Sequence, residues 1–159
     1  MLPVTPVFIK SKETLQQLSL LLDKERLAYG EQNSKLIIDL SNEKQALLDE
    51  MNTLNEKRIN ILIKFDIVNR KKPTEKEFKD WLSKQDSSFD DLRLLIVECE
   101  ALLNLCKNKN NTNARILLTL QKRNKHLFEL LQGHNEKNKV YTARGSTKPI
   151  SSKHTLGRA

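Results

Sequence analysis

The middle of the chain repeats apolar positions at steps of three and four residues without a slip. The repeat runs from Ser34 to about Val68, a stretch that contains no Gly or Pro. It therefore predicts one continuous helix, about 50 Å long at 1.5 Å per residue. A single helix of this kind has to bury its seam against partners of similar length. One register of the seam reads Leu40, Leu47, Leu54, Ile61, Val68, and the other reads Ile37, Lys44, Met51, Arg58, Phe65.

A first helix is predicted from about Ser11 to Asn33, with Ser11 as its N-cap after the loop-forming Pro3 and Pro6. Its apolar face carries Leu15, Leu18, Leu22 and Tyr29. The same face is interrupted by Glu25.

Two cations, Lys44 and Arg58, stand in the weaker register of the seam. One interpretation is that their stems lie along the seam while their charged ends reach water or an acid such as Glu25. The other is an ion pair that sets the register between the first two helices. The sequence leaves both open.

The connector over residues 69–88 contains a short helix of its own. Pro73 ends the long helix, and Thr74 with Glu77 has the spacing of a capping box. The connector also holds a cluster of large apolar residues, Phe78, Trp81 and Leu82. These side chains either plug one end of the bundle or form a partner-binding patch.

A third long helix is predicted from Ser87 or Ser88 to Leu131, with Gly133 as its C-cap. One apolar stripe is Leu92, Cys99, Cys106, Leu120 and Leu127, and a second is Ile96, Leu103, Leu117 and Leu131. Further apolar residues widen the arc, namely Leu94, Leu95, Val97, Leu102, Leu105, Leu118 and Leu130. The arc is wider than an outer bundle helix requires, and the sequence does not show which of its stripes packs within the bundle.

The third helix is divided by a polar segment, "KNKNNTN", over residues 107–113. Asn favours turns over helix interiors, which would predict a break. The apolar stripe resumes in phase, however, because positions 106, 113, 120 and 127 keep a step of seven. We therefore expect a continuous helix with a polar waist, and a kinked helix is the alternative.

The charge is concentrated at the end of the chain. Formal net charge is +8, but residues 134–159 contain six Lys or Arg against one acid. Because the rest is nearly balanced, a basic nucleic-acid-binding face is not needed to explain the composition. We expect residues 1–133 to form a helical bundle. Residues 134–159 are too poor in apolar side chains to fold and predict a flexible basic tail.

The sequence contains no motif for catalysis, phosphate binding or metal binding. Cys99 and Cys106 lie too far apart along one helix for a disulfide and are interpreted as core residues. We therefore predict a protein that is not an enzyme, with no metal, cofactor or small-molecule substrate. The first residues do not resemble a signal peptide, and no apolar window is long enough to span a membrane. This predicts a cytoplasmic protein without membrane insertion.

Several motifs together resemble the FlgN family of flagellar export chaperones, over about residues 15–159 apart from the connector. They begin with "LLDKERLAY" and "LSNEKQALLDEMNTLNEKR", continue with Asn110, Asn113 and "LQKRNKHLFELLQG", and end with "VYTARG" and "SSKHTLGRA". The positions matching the pattern of the first two helices are Glu25, Leu40, Lys44, Leu47, Leu48, Met51, Leu54 and Arg58. The resemblance implies an all-α fold, an elongated antiparallel bundle of three long helices and a short connector helix.

The resemblance also implies a function. Chaperones of this family bind hook-associated proteins before type III export, prevent their premature assembly and deliver them to the export gate. The residues expected to bind the client are Leu102, Leu105, Asn113, Leu117, Leu120 and Leu127. Tyr141 matches the tail tyrosine that contacts the cytoplasmic domain of the gate's large membrane protein.

Two other functions fit parts of the sequence. The heptad seam is also typical of a purely structural coiled-coil adaptor, which would self-associate. The basic tail on a coiled coil would also suit a nucleic-acid-binding regulatory protein, although one tail Tyr is a poor stacking platform.

Overall fold

The computed structural model describes residues 2–132 and, beyond them, the backbone of residues 139–141 and 147–149. The helices are α1 (Thr5–Glu31), α2 (Ser34–Lys64), α3 (Glu75–Ser83) and α4 (Asp90–Leu131), with a 3₁₀ turn at Ser87–Phe89. Two short strands follow, β1 (Lys139–Tyr141) and β2 (Thr147–Pro149). The predicted bundle of three long helices and a short connector helix is confirmed. The chain divides into two compact units, residues 1–114 and 115–159.

Helix α1 begins six residues earlier than the sequence predicted. Its first residue is Thr5, and Pro6 lies within its first turn. The prediction of a loop at Pro6 was wrong because the first N–H groups of a helix have no partner within the helix, so a Pro costs nothing there. The helix ends with Gln32 in a left-handed conformation, and the side chain of Asn33 then caps α2 by accepting from the Leu36 N–H at 3.1 Å.

Helix α2 ends at Lys64, four residues before the predicted end. Asp66 has a φ of 53°, and the chain folds back so that the Ile67 N–H donates to the Leu62 carbonyl at 2.9 Å. Ile67 and Val68 are nevertheless buried. The apolar pattern therefore continued past the helix because these two residues pack into the core from outside it.

The capping box of α3 is formed as predicted. The Glu77 N–H donates to the Thr74 hydroxyl at 3.3 Å, and the Thr74 N–H donates to the Glu77 carboxylate at 3.2 Å. The hydrogen bonds that Glu77 accepts from the backbone of Asn69 and Thr74 lower its pKa. The box fixes where α3 begins and holds the preceding loop against it.

We expect Thr74→Ala to lower the free energy of unfolding by about 1 kcal/mol, because the Glu77 N–H loses its acceptor. Urea denaturation followed by circular dichroism measures the change. Thr53→Ala is the matched control, since the Thr53 hydroxyl is exposed and bonds only to the Asp49 carbonyl within α2. It should change the free energy by less than about 0.5 kcal/mol. Equal effects of the two substitutions would contradict a capping role.

Within residues 1–114, α1 and α4 run in the same direction and α2 runs against both. Along α1 and α4 the contacts advance together, from Lys12 with Glu98 to Lys109 with Asp23. Between α1 and α2 they run in opposite order, from Lys10 with Glu50 to Glu25 with Lys44. A large buried apolar cluster of this unit consists of Val4, Phe8, Leu15, Leu18, Leu22, Leu62, Ile67, Val68, Phe78, Leu82, Leu92, Ile96, Cys99 and Cys106. A smaller one consists of Leu21, Ala28 and Leu40.

The two cysteines lie in this core as free thiols, as the sequence predicted. The Cys99 Sγ is 3.5 Å from the Phe8 carbonyl oxygen, and the Cys106 Sγ is 3.4 Å from that of Leu15. Burial raises the pKa of both thiols. They pack α4 against α1 as small apolar groups.

The connector aromatics close one end of the unit, which confirms the predicted plug. Phe78 stacks on Phe8 with ring centroids 6.0 Å apart, and on Trp81 at 6.3 Å. Trp81 meets Phe89 edge to face at 5.6 Å. Helix α3 is thereby held against the core of the first unit through Phe78 and Leu82.

Helix α4 is continuous through residues 107–113, which confirms the preferred prediction over the kinked alternative. Its predicted C-cap, Gly133, lies outside the described residues. So does the predicted flexible tail, apart from the backbone of β1 and β2. These strands pair antiparallel, with Tyr141 opposite Thr147, in a segment for which the sequence predicted no ordered backbone. The predicted boundary at residue 133 stays a prediction.

Candidate functional site

A buried polar network joins three helices in the middle of the first unit. Glu25 of α1 is only 3% exposed, and its carboxylate accepts from the Lys44 ammonium of α2 at 3.1 Å. From α4, the Asn113 Nδ2 donates to Glu25 Oε2 and to the Leu22 carbonyl, both at 2.8 Å. Lys44 therefore pairs with Glu25, which both interpretations of this cation allowed, and a role of the pair in setting the register stays a prediction.

Every polar atom of the Asn113 side chain has a partner within the bundle. Its Oδ1 accepts from the Arg26 Nε at 3.3 Å, and the residue is 1% exposed. The neighbouring Lys44 ammonium also donates to the Asn110 Oδ1 at 2.7 Å. The polar waist thus supplies the α4 side of the network, which explains how a run of asparagines remains helical.

The network also affects a nearby tyrosine. Tyr29 lies one turn after Glu25 on α1 and is buried. Burial, reinforced by the negative charge of Glu25, raises the pKa of Tyr29 to about 12. Its hydroxyl therefore stays protonated to a higher pH than that of an ordinary tyrosine.

A second polar contact fastens α4 to α1 one turn before the network. The Lys109 ammonium donates to Asp23 Oδ2 at 2.6 Å and to the Ser19 hydroxyl at 2.9 Å. Arg58, the other seam cation, places its guanidinium over the Phe8 ring at 5.6 Å and donates to Asn55. Arg58 therefore matches the interpretation in which the stem of the cation lies along the seam.

Helix α4 leaves apolar side chains uncovered in both units. Within residues 1–114 an exposed stripe consists of Leu94, Val97, Ala101 and Leu105. It lies opposite the buried Ile96, Cys99 and Cys106 on the same helix. Leu94 and Val97 are each 61% exposed.

Within residues 115–131 the exposed apolar residues are Leu118, Leu127, Phe128, Leu130 and Leu131. Leu131 is 87% exposed, Phe128 is 61% exposed and Leu127 is 48% exposed. By helical spacing, these three share a face with the half-buried Leu117 and Leu120. An apolar face of five residues is a surface on which an amphipathic helix can dock.

The comparison with protein-family models matches the FlgN family, described as FlgN protein, over residues 5–149. The chain belongs to the FlgN family. Neither a curated protein nor a solved structure matches it. As a FlgN-family protein it is a flagellar export chaperone, and that family is a chaperone family rather than one of enzymes.

Four of the residues that carried the FlgN resemblance meet in the buried network. Glu25, Lys44, Asn110 and Asn113 come from three helices and are joined by hydrogen bonds. In this FlgN-family chain they therefore hold the bundle together. None of the described helices is long and apolar enough to cross a membrane. In the same described part of the chain, no three His, Cys, Asp or Glu side chains group in a way that could hold a metal ion.

The six residues predicted to bind a client lie in three kinds of environment. Leu105 and Leu127 are exposed, and the half-buried ones are Leu102, Leu117 and Leu120. Asn113 is buried, so its side chain can reach a client only if the network opens. The structure brings Leu117, Leu120 and Leu127 onto one face.

Sequence reasoning missed Phe128 and Leu131 as candidates for this face. The signal was their spacing: Phe128 follows Leu120 by eight residues, and Leu131 follows Leu127 by four. The backbone of Tyr141 lies in β1, and its side chain lies outside the described part of the chain.

Proposed function

We propose that this FlgN-family chaperone binds a terminal helix of a hook-associated protein and delivers the client to the flagellar export gate. The observation that carries the proposal is the apolar face of α4 within residues 115–131, where Leu127, Phe128 and Leu131 are exposed. Family membership supplies the class of client. A terminal helix that forms a filament core only after export would be apolar on one side. Before export, that side has to be shielded from water and from other copies of the client.

The binding mode that we propose is a helix lying in an apolar groove. Leu117 and Leu120 form its half-buried floor, while Leu127, Phe128 and Leu131 contact the client. Leu102 and Leu105, predicted from the sequence, stay predictions for a longer contact. Asn113 acts from inside the bundle by holding α4 in place.

Co-expression with the hook-associated proteins of the same genome tests the proposal. A complex should co-elute on size exclusion with the full chain and with a chain that ends at Leu131. Circular dichroism of the shortened chain checks that its helices remain. If none of the hook-associated proteins co-elutes with the full chain, the proposed client class is wrong.

Delivery to the gate is proposed to depend on Tyr141. We expect Tyr141→Ala to weaken binding to the cytoplasmic domain of the gate's membrane protein at least about tenfold, as loss of an aromatic anchor typically does. Client affinity should change less than about twofold, because the client surface lies on α4. Calorimetric titration with each partner measures both.

The neighbouring substitution Thr142→Ala is the control, and it should leave gate binding unchanged. An equal loss of client and gate binding in the Tyr141 variant would contradict two separate sites.

A further inference from the structure

A charged side chain lies within the apolar face of α4 over residues 115–131. Arg123 is exposed and stands among apolar residues at helical spacing. Those at three, four and seven residues from it on the same face are Ile116, Leu120, Leu127 and Leu130. A client helix that covers Leu120 and Leu127 therefore also covers Arg123.

Arg123 has no ion-pair partner among the residues that the structure describes. No described carboxylate forms an ion pair with its guanidinium. The acid of the same segment, Glu129, follows six residues later and so lies on another face of the helix. Its carboxylate oxygen is 4.0 Å from the Lys125 ammonium, one turn away on α4.

The charge of this segment has one sign. Residues 115–131 contain four Lys or Arg, at positions 115, 122, 123 and 125, against one acid. Of these cations, only Lys125 forms an ion pair with a described carboxylate. A partner that docks on this part of α4 is therefore attracted to it if the partner carries negative charge.

A guanidinium that a partner covers has to be paired or kept in contact with water. Covering Arg123 with a purely apolar surface would remove its hydration, which opposes binding unless a carboxylate takes the place of water. Arg suits such pairing because its planar end can donate two parallel hydrogen bonds to one carboxylate. Its aliphatic stem can meanwhile contact Leu120 and Leu127.

The bundle itself contains a pair of this kind between α1 and α2. Glu25 stands on an apolar face of α1 with the buried Leu18 and Leu22, and its carboxylate accepts from the Lys44 ammonium at 3.1 Å. One charge from each helix thus meets the other within an apolar seam. Arg123 presents one half of a comparable pair, and the other half would come from the client.

We propose that Arg123 pairs with an acidic residue in the apolar face of the client helix, and that this pair selects the client and its register on α4. The inference rests on the proposed client surface, to which it adds a specificity. It names the class of client as an amphipathic helix in which an Asp or Glu has apolar neighbours three or four residues away on both sides.

An aromatic client residue fits Arg123 less well than an acid does. The seam cation Arg58 does lie over the Phe8 ring, but its guanidinium also donates to Asn55, three residues earlier on its own helix, at 2.7 Å. The residue three positions before Arg123 is Leu120, whose side chain has no acceptor. An aromatic ring alone would leave the N–H groups of Arg123 without acceptors, whereas a carboxylate supplies them.

Charge reversal on two faces of α4 tests the inference. The hook-associated protein that co-elutes with the native chain is titrated by calorimetry into Arg123→Glu and into Lys122→Glu. Both residues are exposed and both variants have the same net charge, but Lys122 lies on the opposite face by helical spacing. We expect Arg123→Glu to weaken binding at least about tenfold and Lys122→Glu less than about threefold. Arg123→Gln should fall between Arg123→Glu and the native chain, and circular dichroism should show intact helices in all three variants.

A charge swap identifies the client's half of the pair. Each acidic residue in the terminal helix of the client is replaced by Lys in turn. One replacement should raise affinity for the Arg123→Glu chain at least about fivefold and weaken binding to the native chain. If Arg123 only stabilised the free chaperone, no client replacement would recover binding in this way.

Three results would overturn the inference while the proposed function stands, because the client still binds the native chain in each. Equal losses in Arg123→Glu and Lys122→Glu would reflect net charge alone. Native affinity in Arg123→Gln would show that no pair forms. Recovery of binding by none of the client's acid-to-Lys replacements would show that its acids do not meet Arg123. If no hook-associated protein binds the native chain, the proposed function itself is wrong and the inference fails with it.

Discussion

Glu25→Ala should lower the free energy of unfolding by about 3 kcal/mol, the largest effect that we expect from removing a single polar side chain. The reason is the position of its partners. Asn113 is 1% exposed, so the Nδ2 group that loses Glu25 cannot reach water. The Lys44 side chain is 23% exposed and can turn toward solvent, which keeps the loss at the lower end for a buried pair.

Urea denaturation of the variant, compared with Glu13→Ala on the same helix, measures the effect. Glu13 is exposed and its nearest cation is Lys10 at 3.8 Å, so its removal should cost less than about 0.5 kcal/mol. Equal losses in the two variants would contradict a structural role for the network.

A double-mutant cycle with Lys44 separates the ion pair from simple burial. Lys44→Ala should cost at least about 1 kcal/mol less in the Glu25→Ala background than in the native chain, because the pair has already been broken. Glu25→Gln should fall between the native chain and Glu25→Ala, since an amide oxygen still accepts from Asn113. Additive losses would show that Lys44 and Glu25 act independently.

The sequence predicted the helices because burial and local chemistry agree along most of the chain. The heptad seam predicted α2, and the spacing of Thr74 and Glu77 predicted the start of α3. It misplaced two helix ends for different physical reasons. Helix α1 begins early because Pro6 fits in a first turn, where its missing N–H costs nothing. Helix α2 ends early, at Lys64, although the apolar pattern continues. An apolar pattern predicts which side chains are buried. It does not predict where the helix ends, because residues beyond that end can be buried as well. Val68 is buried but lies outside α2.

The network could be predicted only in part. Glu25 and Lys44 were recognisable as charges on apolar faces, and both open interpretations of Lys44 allowed the two to pair. Asn113 was assigned to a client although it stands in the same stripe as the buried Cys106. The stripe alone could not decide its role, because one helix's periodicity does not show which of its faces meets another helix. In the structure, Asn113 faces α1, where it bonds to Leu22 and Glu25.

This arrangement links stability to the proposed function. Asn113 fastens α4 to α1 at the end of the first unit, two residues before the segment that we propose for client binding begins. A chaperone that holds an aggregation-prone helix needs an apolar face that stays open to that helix. Polar anchors in the same helix permit this, because they fix α4 in its register without using the apolar side chains needed for the client.

Replacing the proposed client surface should have the largest effect on binding. Leu127→Ser combined with Phe128→Ser should weaken affinity for a hook-associated client about a hundredfold, since two apolar anchors of an interface are lost. Both side chains are exposed in the free chain, at 48% and 61%, so the free energy of unfolding should change by less than about 1 kcal/mol. Calorimetric titration with the purified client measures the affinity.

The matched control for this variant is Leu94→Ser combined with Val97→Ser, which removes two apolar residues of similar exposure from the stripe within the first unit. If the client uses only the face within residues 115–131, the control changes affinity less than about threefold. A loss confined to the control would move the client to the Leu94 stripe and contradict the proposed surface. Equal losses in both variants would mean that the client contacts α4 over both units, in which case Leu105, predicted from the sequence, lies within the contact. Each outcome therefore assigns the client to a stated part of one helix.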